Sequence, residues 1–88
     1  MTSIETLKVM SSFKKNAQKI YIYRHEGRVS IYNDGDSTSK SEHGIYIISH
    51  DTEDDGTKAT FKEYIPFEDI VGIKALMKYS AKEVVNEV

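Results

Sequence analysis

The sequence predicts an α+β fold: one small domain over residues 1–88, an antiparallel four-stranded sheet with a helix at each end of the chain. Three observations predict it. Apolar residues step at helical spacing from Ile4 to Ala17. They alternate with polar ones, at a period of two, from Lys19 to Ile65. They return to helical spacing from Ile70 onward, giving the order α-β-β-β-β-α.

The first helix is expected from about Ser3 to Ala17. Thr2 and Glu5 have capping-box spacing, and Ile4, Leu7, Met10 and Phe13 form the apolar side with Ala17. Lys14 and Lys15 suit the negative end of the helix dipole.

A hairpin follows in KIYIYRHEGRVSIYND, residues 19–34. With Glu26-Gly27 as a two-residue turn, His25 faces Arg28, Tyr23 faces Ser30 and Tyr21 faces Tyr32. One face then carries Ile20, Ile22, Val29 and Ile31. The other carries Tyr21, Tyr23, His25, Arg28, Ser30 and Tyr32. Arg24 falls on the aliphatic side, close enough to the turn to reach solvent.

The run NDGDSTSKSE, residues 33–42, has no apolar residue and is expected to be a loop. GIYIIS, residues 44–49, is a third strand, and Ala59, Phe61 and Ile65 mark a fourth. Asp55-Gly56 between them is a hairpin signal. Pro66 ends that strand and opens a second helix, expected from about Phe67 to Asn86, with Ile70, Ile73, Met77, Ala81, Val84 and Val88 at helical steps. Gly72 costs such a helix up to ~1 kcal/mol against Ala. If DIVGIKAL, residues 69–76, is instead a strand, the alternative is an N-terminal helix and five strands in a small barrel of the Sm-like or SH3-like kind. The glycine and acidic signatures of those families do not fall into place here.

Composition bounds the chemistry. The chain has no Cys, which excludes disulfides, thiolate metal sites and a Cys nucleophile. Its start, MTSIETLKVM, has no apolar run of signal-peptide type, and no window approaches the ~18 apolar residues of a membrane span, so the expected compartment is the cytoplasm. Net charge is −2 but unevenly spread. Residues 1–32 hold six Lys/Arg against two acids, and residues 33–69 hold three Lys against ten acids. Such a distribution orients partners in solution.

No motif carries catalysis. The acids of Asp51-Thr52-Glu53-Asp54-Asp55-Gly56 start like a calcium loop, but Lys62 stands where a bidentate acid must close it. His43 and His50 flank one strand, about 20 Å or more apart, and His25 sits at another turn. The scattered glycines make no phosphate cradle. The expectation is therefore a protein that is not an enzyme and needs no metal or cofactor.

Two interaction surfaces remain. Tyr21, Tyr23, His25, Arg28 and Tyr32, with Lys14, Lys15 and Lys19 nearby, have the aromatic-plus-cation character that binds single-stranded nucleic acid or anchors a protein. Asp34, Asp36, Asp51, Glu53, Asp54 and Asp55 form an acidic arc able to imitate phosphate. The functional expectation is a small interaction protein that inhibits or regulates a partner macromolecule. Its style is that of phage-encoded, antitoxin-like proteins that disarm host enzymes or defence systems. RNA or single-stranded DNA binding through the first hairpin is the alternative. A protein is the leading partner, a second copy of the chain a further one, and a membrane none.

Overall fold

In the computed structural model, residues 1–78 are described. They form one N-terminal helix and six strands in two three-stranded antiparallel sheets. Helix α1 spans Ser3–Lys14. Strands β1 (Ala17–Arg24), β2 (Val29–Asn33) and β6 (Ile70–Met77) make sheet A, in the order β2-β1-β6. Strands β3 (Ser37–Lys40), β4 (Gly44–Thr52) and β5 (Lys58–Pro66) make sheet B, in that order.

The helix begins where the capping box places it. Thr2 is extended, and its hydroxyl accepts from the Glu5 N–H at 3.1 Å. It ends three residues earlier than expected, and Ala17 opens β1 as a buried residue. The buried side of the helix is Thr6 and Met10, with Leu7 and Phe13 packed at its margin, while Ile4 is exposed.

Between the sheets lie Ile20, Ile22, Tyr32 and Ile70 from one side and Ile45, Ile47 and Ile65 from the other, closed by Met10 and Phe67. The chain passes from sheet A to sheet B at a corner, Asn33–Asp36. Gly35 there has φ 97°, a conformation that favours glycine. Asp36 accepts from the Asn33 N–H at 2.8 Å, and the Tyr32 hydroxyl donates to the Asp36 carbonyl at 2.8 Å. The β4–β5 turn fits its Asp-Gly signal. Gly56 has φ 86°, and Asp55 accepts from the Thr57 N–H at 2.8 Å.

The single four-stranded sheet expected from the sequence is instead two sheets of three strands, and four further sequence expectations are corrected. First, the β1–β2 turn takes three residues, His25–Gly27. Glu26 adopts φ 65° and ψ 26° beside Gly27 at φ 74°, and the Arg24 N–H donates to the Arg28 carbonyl at 2.8 Å. The register is then Tyr21↔Ile31 and Tyr23↔Val29, one residue away from the two-residue reading. A one-residue slip turns every side chain of a strand over. Ser30 and Tyr32 are therefore buried, and Val29 and Ile31 face outward.

Second, residues 37–40 of the supposed loop are strand β3, paired with β4 from Ser37↔Ile48 to Lys40↔Ile45. Ser-Thr-Ser-Lys carries no apolar pattern, and an edge position asks mainly for backbone pairing. Third, Phe67–Asp69 is a single 3₁₀ turn and Ile70–Met77 is a strand, so the preferred helix from Phe67 to Asn86 gives way to the alternative reading of residues 69–76 as a strand. The rest of that expected helix, residues 79–86, lies outside the described residues. Two bulges explain the misreading. Val71 is an extra residue between the pairs Arg24↔Ile70 and Tyr23↔Gly72, and Gln18 is skipped opposite Leu76 and Met77. Ile70, Ile73 and Met77 thereby meet the inward-facing positions of β1 at intervals that imitate a helix. Fourth, Arg24 does face the aliphatic side but does not reach water freely. Its side chain is 13% exposed and ion-paired.

Gly44 lies where β4 meets the end of β5. A Cβ there would stand 2.5 Å from the Ile65 carbonyl oxygen and 2.8 Å from the Tyr64 ring. Backbone cannot retreat cheaply, so Gly44→Ala should destabilise by roughly 1–3 kcal/mol in urea unfolding. A loss below about half a kcal/mol would show that the strands do not approach this closely.

Candidate functional site

The register of sheet A builds its outer face as three rows of three. Cross-strand partners share a face, so the rows read Val29–Tyr23–Gly72, Ile31–Tyr21–Lys74 and Asn33–Lys19–Leu76. Tyr23, Val29, Ile31 and Leu76 are exposed, and Tyr21 is half-buried. No carboxylate stands among the nine positions. Gly72 carries no side chain there, and a Cβ on it would meet open space, with nothing within 4 Å. Beside it is a hollow of about 370 Å³ lined by Tyr21, Tyr23, Lys74, Ala75 and Leu76.

The sequence-predicted aromatic platform is divided. Tyr21, Tyr23 and Lys19 share this outer face. Tyr32 is on the inner face, 7% exposed, and burial, with the charges of Asp36 and Asp34 beside it, pushes its phenol pKa up. The Lys14 ammonium lies 5.5 Å from the centre of the Tyr32 ring and donates to the Thr38 hydroxyl at 2.8 Å, so it is held between the sheets' edges. Lys15 caps the helix C-terminus and is exposed.

His25 and Arg28 belong to a different cluster at the hairpin end. Arg28 donates to both Asp69 oxygens at 2.9 and 3.0 Å, and Arg24 Nε donates to Asp69 at 2.7 Å. His25 Nε2 lies 3.2 Å from the Glu68 carbonyl. Ser30 donates to Glu63 at 2.8 Å, and Arg24 reaches the same carboxylate at 3.6 Å. The cluster ties the β1–β2 turn to the β5–β6 corner. Burial works to raise the Asp69 carboxyl, but the Arg24 hydrogen bond and the charges of Arg28 and Arg24 hold it below the usual carboxylate range. Such a group stabilises the fold above its unfolded pKa and loses that contribution as pH falls through its folded pKa. Asp69→Asn should therefore lower the melting temperature at neutral pH and flatten its fall in acid. A melting profile identical to the parent's from pH 7 to pH 3 would remove the cluster from the account.

The acidic residues fall into two turns. Asp34 pairs with Lys78, and Asp36 is committed to the corner. Asp51 accepts from the Thr52 N–H, and hydrogen bonds from Thr57 hold the Asp55 carboxyl below its usual range. Glu53 and Asp54 are exposed in the same loop. Ser37 pairs with Ile48 at the middle of β4, so the corner lies part-way along that strand and the β4–β5 loop at its far end. The acidic arc of the sequence reading is thus two separate turns.

Sequence reasoning missed six of the nine positions of the open face: Val29, Ile31, Asn33, Gly72, Lys74 and Leu76. The signal for the first two was the turn length alone. It also passed over Tyr46 and Tyr64, a cross-strand pair on sheet B with ring centroids 5.0 Å apart. Among the described residues, no group of His, Asp or Glu is placed to hold a metal, and no buried polar side-chain atom lacks a partner. No helix among them is long and apolar enough to cross a membrane. No family model matches the chain, and no curated protein or solved structure matches it.

Proposed function

We propose that the protein works by binding: it is a small non-enzymatic interaction protein that regulates or inhibits a partner macromolecule through the outer face of sheet A. One observation carries this reading. Four large apolar side chains, Tyr23, Val29, Ile31 and Leu76, stand exposed and contiguous on one face, with Tyr21 between them. Contiguous apolar surface of this kind, rimmed by polar groups, is the mark of an interaction site. Tyrosine anchors at its centre fit a protein hot spot. A style of action like that of phage-encoded counter-defence proteins fits the small size of the domain.

Nucleic-acid binding is the second reading, favoured by Tyr21 and Tyr23 standing with Lys19 and Lys74. It is weakened because Arg28, Tyr32 and Lys14 are engaged elsewhere. Aliphatic Val29, Ile31 and Leu76 also fill the places where further stacking or phosphate contacts would stand.

The test is retention of a macromolecule from a lysate of the native cell, with and without RNase. The double variant Tyr23→Ala/Ile31→Ser should lose the retained protein while unfolding within about 1 kcal/mol of the parent, as surface changes do. Retention unaffected by the variant would locate the function elsewhere. Material that disappears on RNase treatment would establish the nucleic-acid reading instead.

A further inference from the structure

Resting on that reading of the face, we infer the kind of partner it takes: an amphipathic α-helix of about nine residues, apolar on one side and flanked by carboxylates, supplied by another protein. The dimensions come first. Three strands spaced ~4.8 Å apart make a face ~10 Å across, and the three rows, two residues apart along the strands, run ~14 Å. An α-helix is ~10 Å in diameter and rises 1.5 Å per residue, so about nine residues cover the face. An extended strand would seek the sheet's edge, where backbone groups pair. The face itself asks for a helix or a second sheet.

Charge then selects the helix. Lys19 and Lys74 stand on the face, and no acid accompanies them. A second copy laid face to face would bring like charges together without a counter-ion, at a cost. A helix with Glu or Asp beside its apolar stripe neutralises both lysines. The anchor is the hollow between Tyr21, Tyr23 and Lys74. Gly72 pairs with Tyr23 at its margin, and a Cβ there would meet open space. One Leu-sized or aromatic side chain of the partner fills the hollow.

Gly72 supplies a clean variant. Gly72 sits in a strand with room for a Cβ, so Gly72→Val should fold as well as the parent or better. Yet it adds a branched side chain next to Tyr23, at the margin of the anchor hollow. The experiment titrates the full chain with fluorescent twelve-residue helical peptides sharing one apolar stripe and flanked by Glu, Gln or Lys, and with a twelve-nucleotide single-stranded RNA. The Glu peptide should bind at least tenfold tighter than the Lys peptide and tighter than the RNA. Gly72→Val should weaken it at least tenfold, and Lys19→Glu/Lys74→Glu should reverse the charge preference.

The inference is overturned if no peptide binds, if charge makes no difference, or if Gly72→Val binds as the parent does. Preference for the RNA overturns it too. So does a chain lacking residues 79–88 that binds the Glu peptide tenfold tighter than the full chain, because the occupant is then the chain's own terminus. Dimerisation lost in Gly72→Val would assign the face to a second copy. A native partner that Tyr23→Ala/Ile31→Ser releases, alongside indifference to peptide charge, would spare the proposed function and remove this inference alone.

Discussion

Tyr32→Ala should destabilise the protein by about 3–5 kcal/mol, and Ile31→Ala, one residue away, by less than about 1 kcal/mol. The contrast reverses what hydrophobicity suggests, because the isoleucine faces water and the tyrosine faces the core. Ile31 is 42% exposed and Tyr32 7%. Truncating Tyr32 empties a ring's volume beside Ile20, its cross-strand neighbour, and removes the hydroxyl bond to the Asp36 carbonyl that fixes the corner between the sheets. A domain of this size has a total stability toward the lower part of the ~5–15 kcal/mol range, so the tyrosine variant should be largely unfolded at modest urea concentrations. Equal losses for the two variants, or a larger loss at Ile31, would return the hairpin to the two-residue-turn register.

Ile22→Ala should cost about 2–5 kcal/mol. Ile22 is fully buried on the middle strand of sheet A, beside Ser30 on β2 and Ile73 on β6, so no neighbour is free to collapse into the space. Its sequence neighbour Tyr23 points the other way and should tolerate truncation to Ala within about 1 kcal/mol. Chemical unfolding of both variants measures this alternation directly. A small loss at Ile22 would mean that the inner faces of the two sheets do not pack on each other.

The legible parts of the fold were those written in local chemistry. Thr2 and Glu5 announced the helix start, Asp55-Gly56 the second hairpin, and Ile20 and Ile22 the core face of β1. What escaped was set by backbone choices the side chains do not advertise. Glu26 takes a left-handed conformation that a non-glycine residue rarely adopts, and that one residue lengthens the turn and turns β2 over. The bulge at Val71 spaces Ile70 and Ile73 like helix neighbours, which left the strand completing sheet A as only the alternative to a helix. Ser37–Lys40 pairs through its backbone and shows no pattern to read.

The site follows the same division. Tyr21, Tyr23 and Lys19 were found because β1 was read correctly. Val29, Ile31, Lys74 and Leu76 were missed because the strands on either side of it were not. The correction also changes the character of the surface. A face of tyrosines with Arg28 and His25 suggests a nucleic-acid platform, whereas the observed mixture of tyrosine and aliphatic side chains is what supports the proposal of a protein partner. Arg28 serves instead to fasten the hairpin to Asp69.

The most direct measurement is nitration of the folded, full-length protein with tetranitromethane, read residue by residue by mass spectrometry. An open sheet A face predicts that Tyr23 is modified early and that Tyr32 is protected, both by burial and by its raised pKa. Protection of Tyr23, or modification of Tyr32 as fast as Tyr23, would contradict the account: the face would be covered in the first case and the hairpin register wrong in the second.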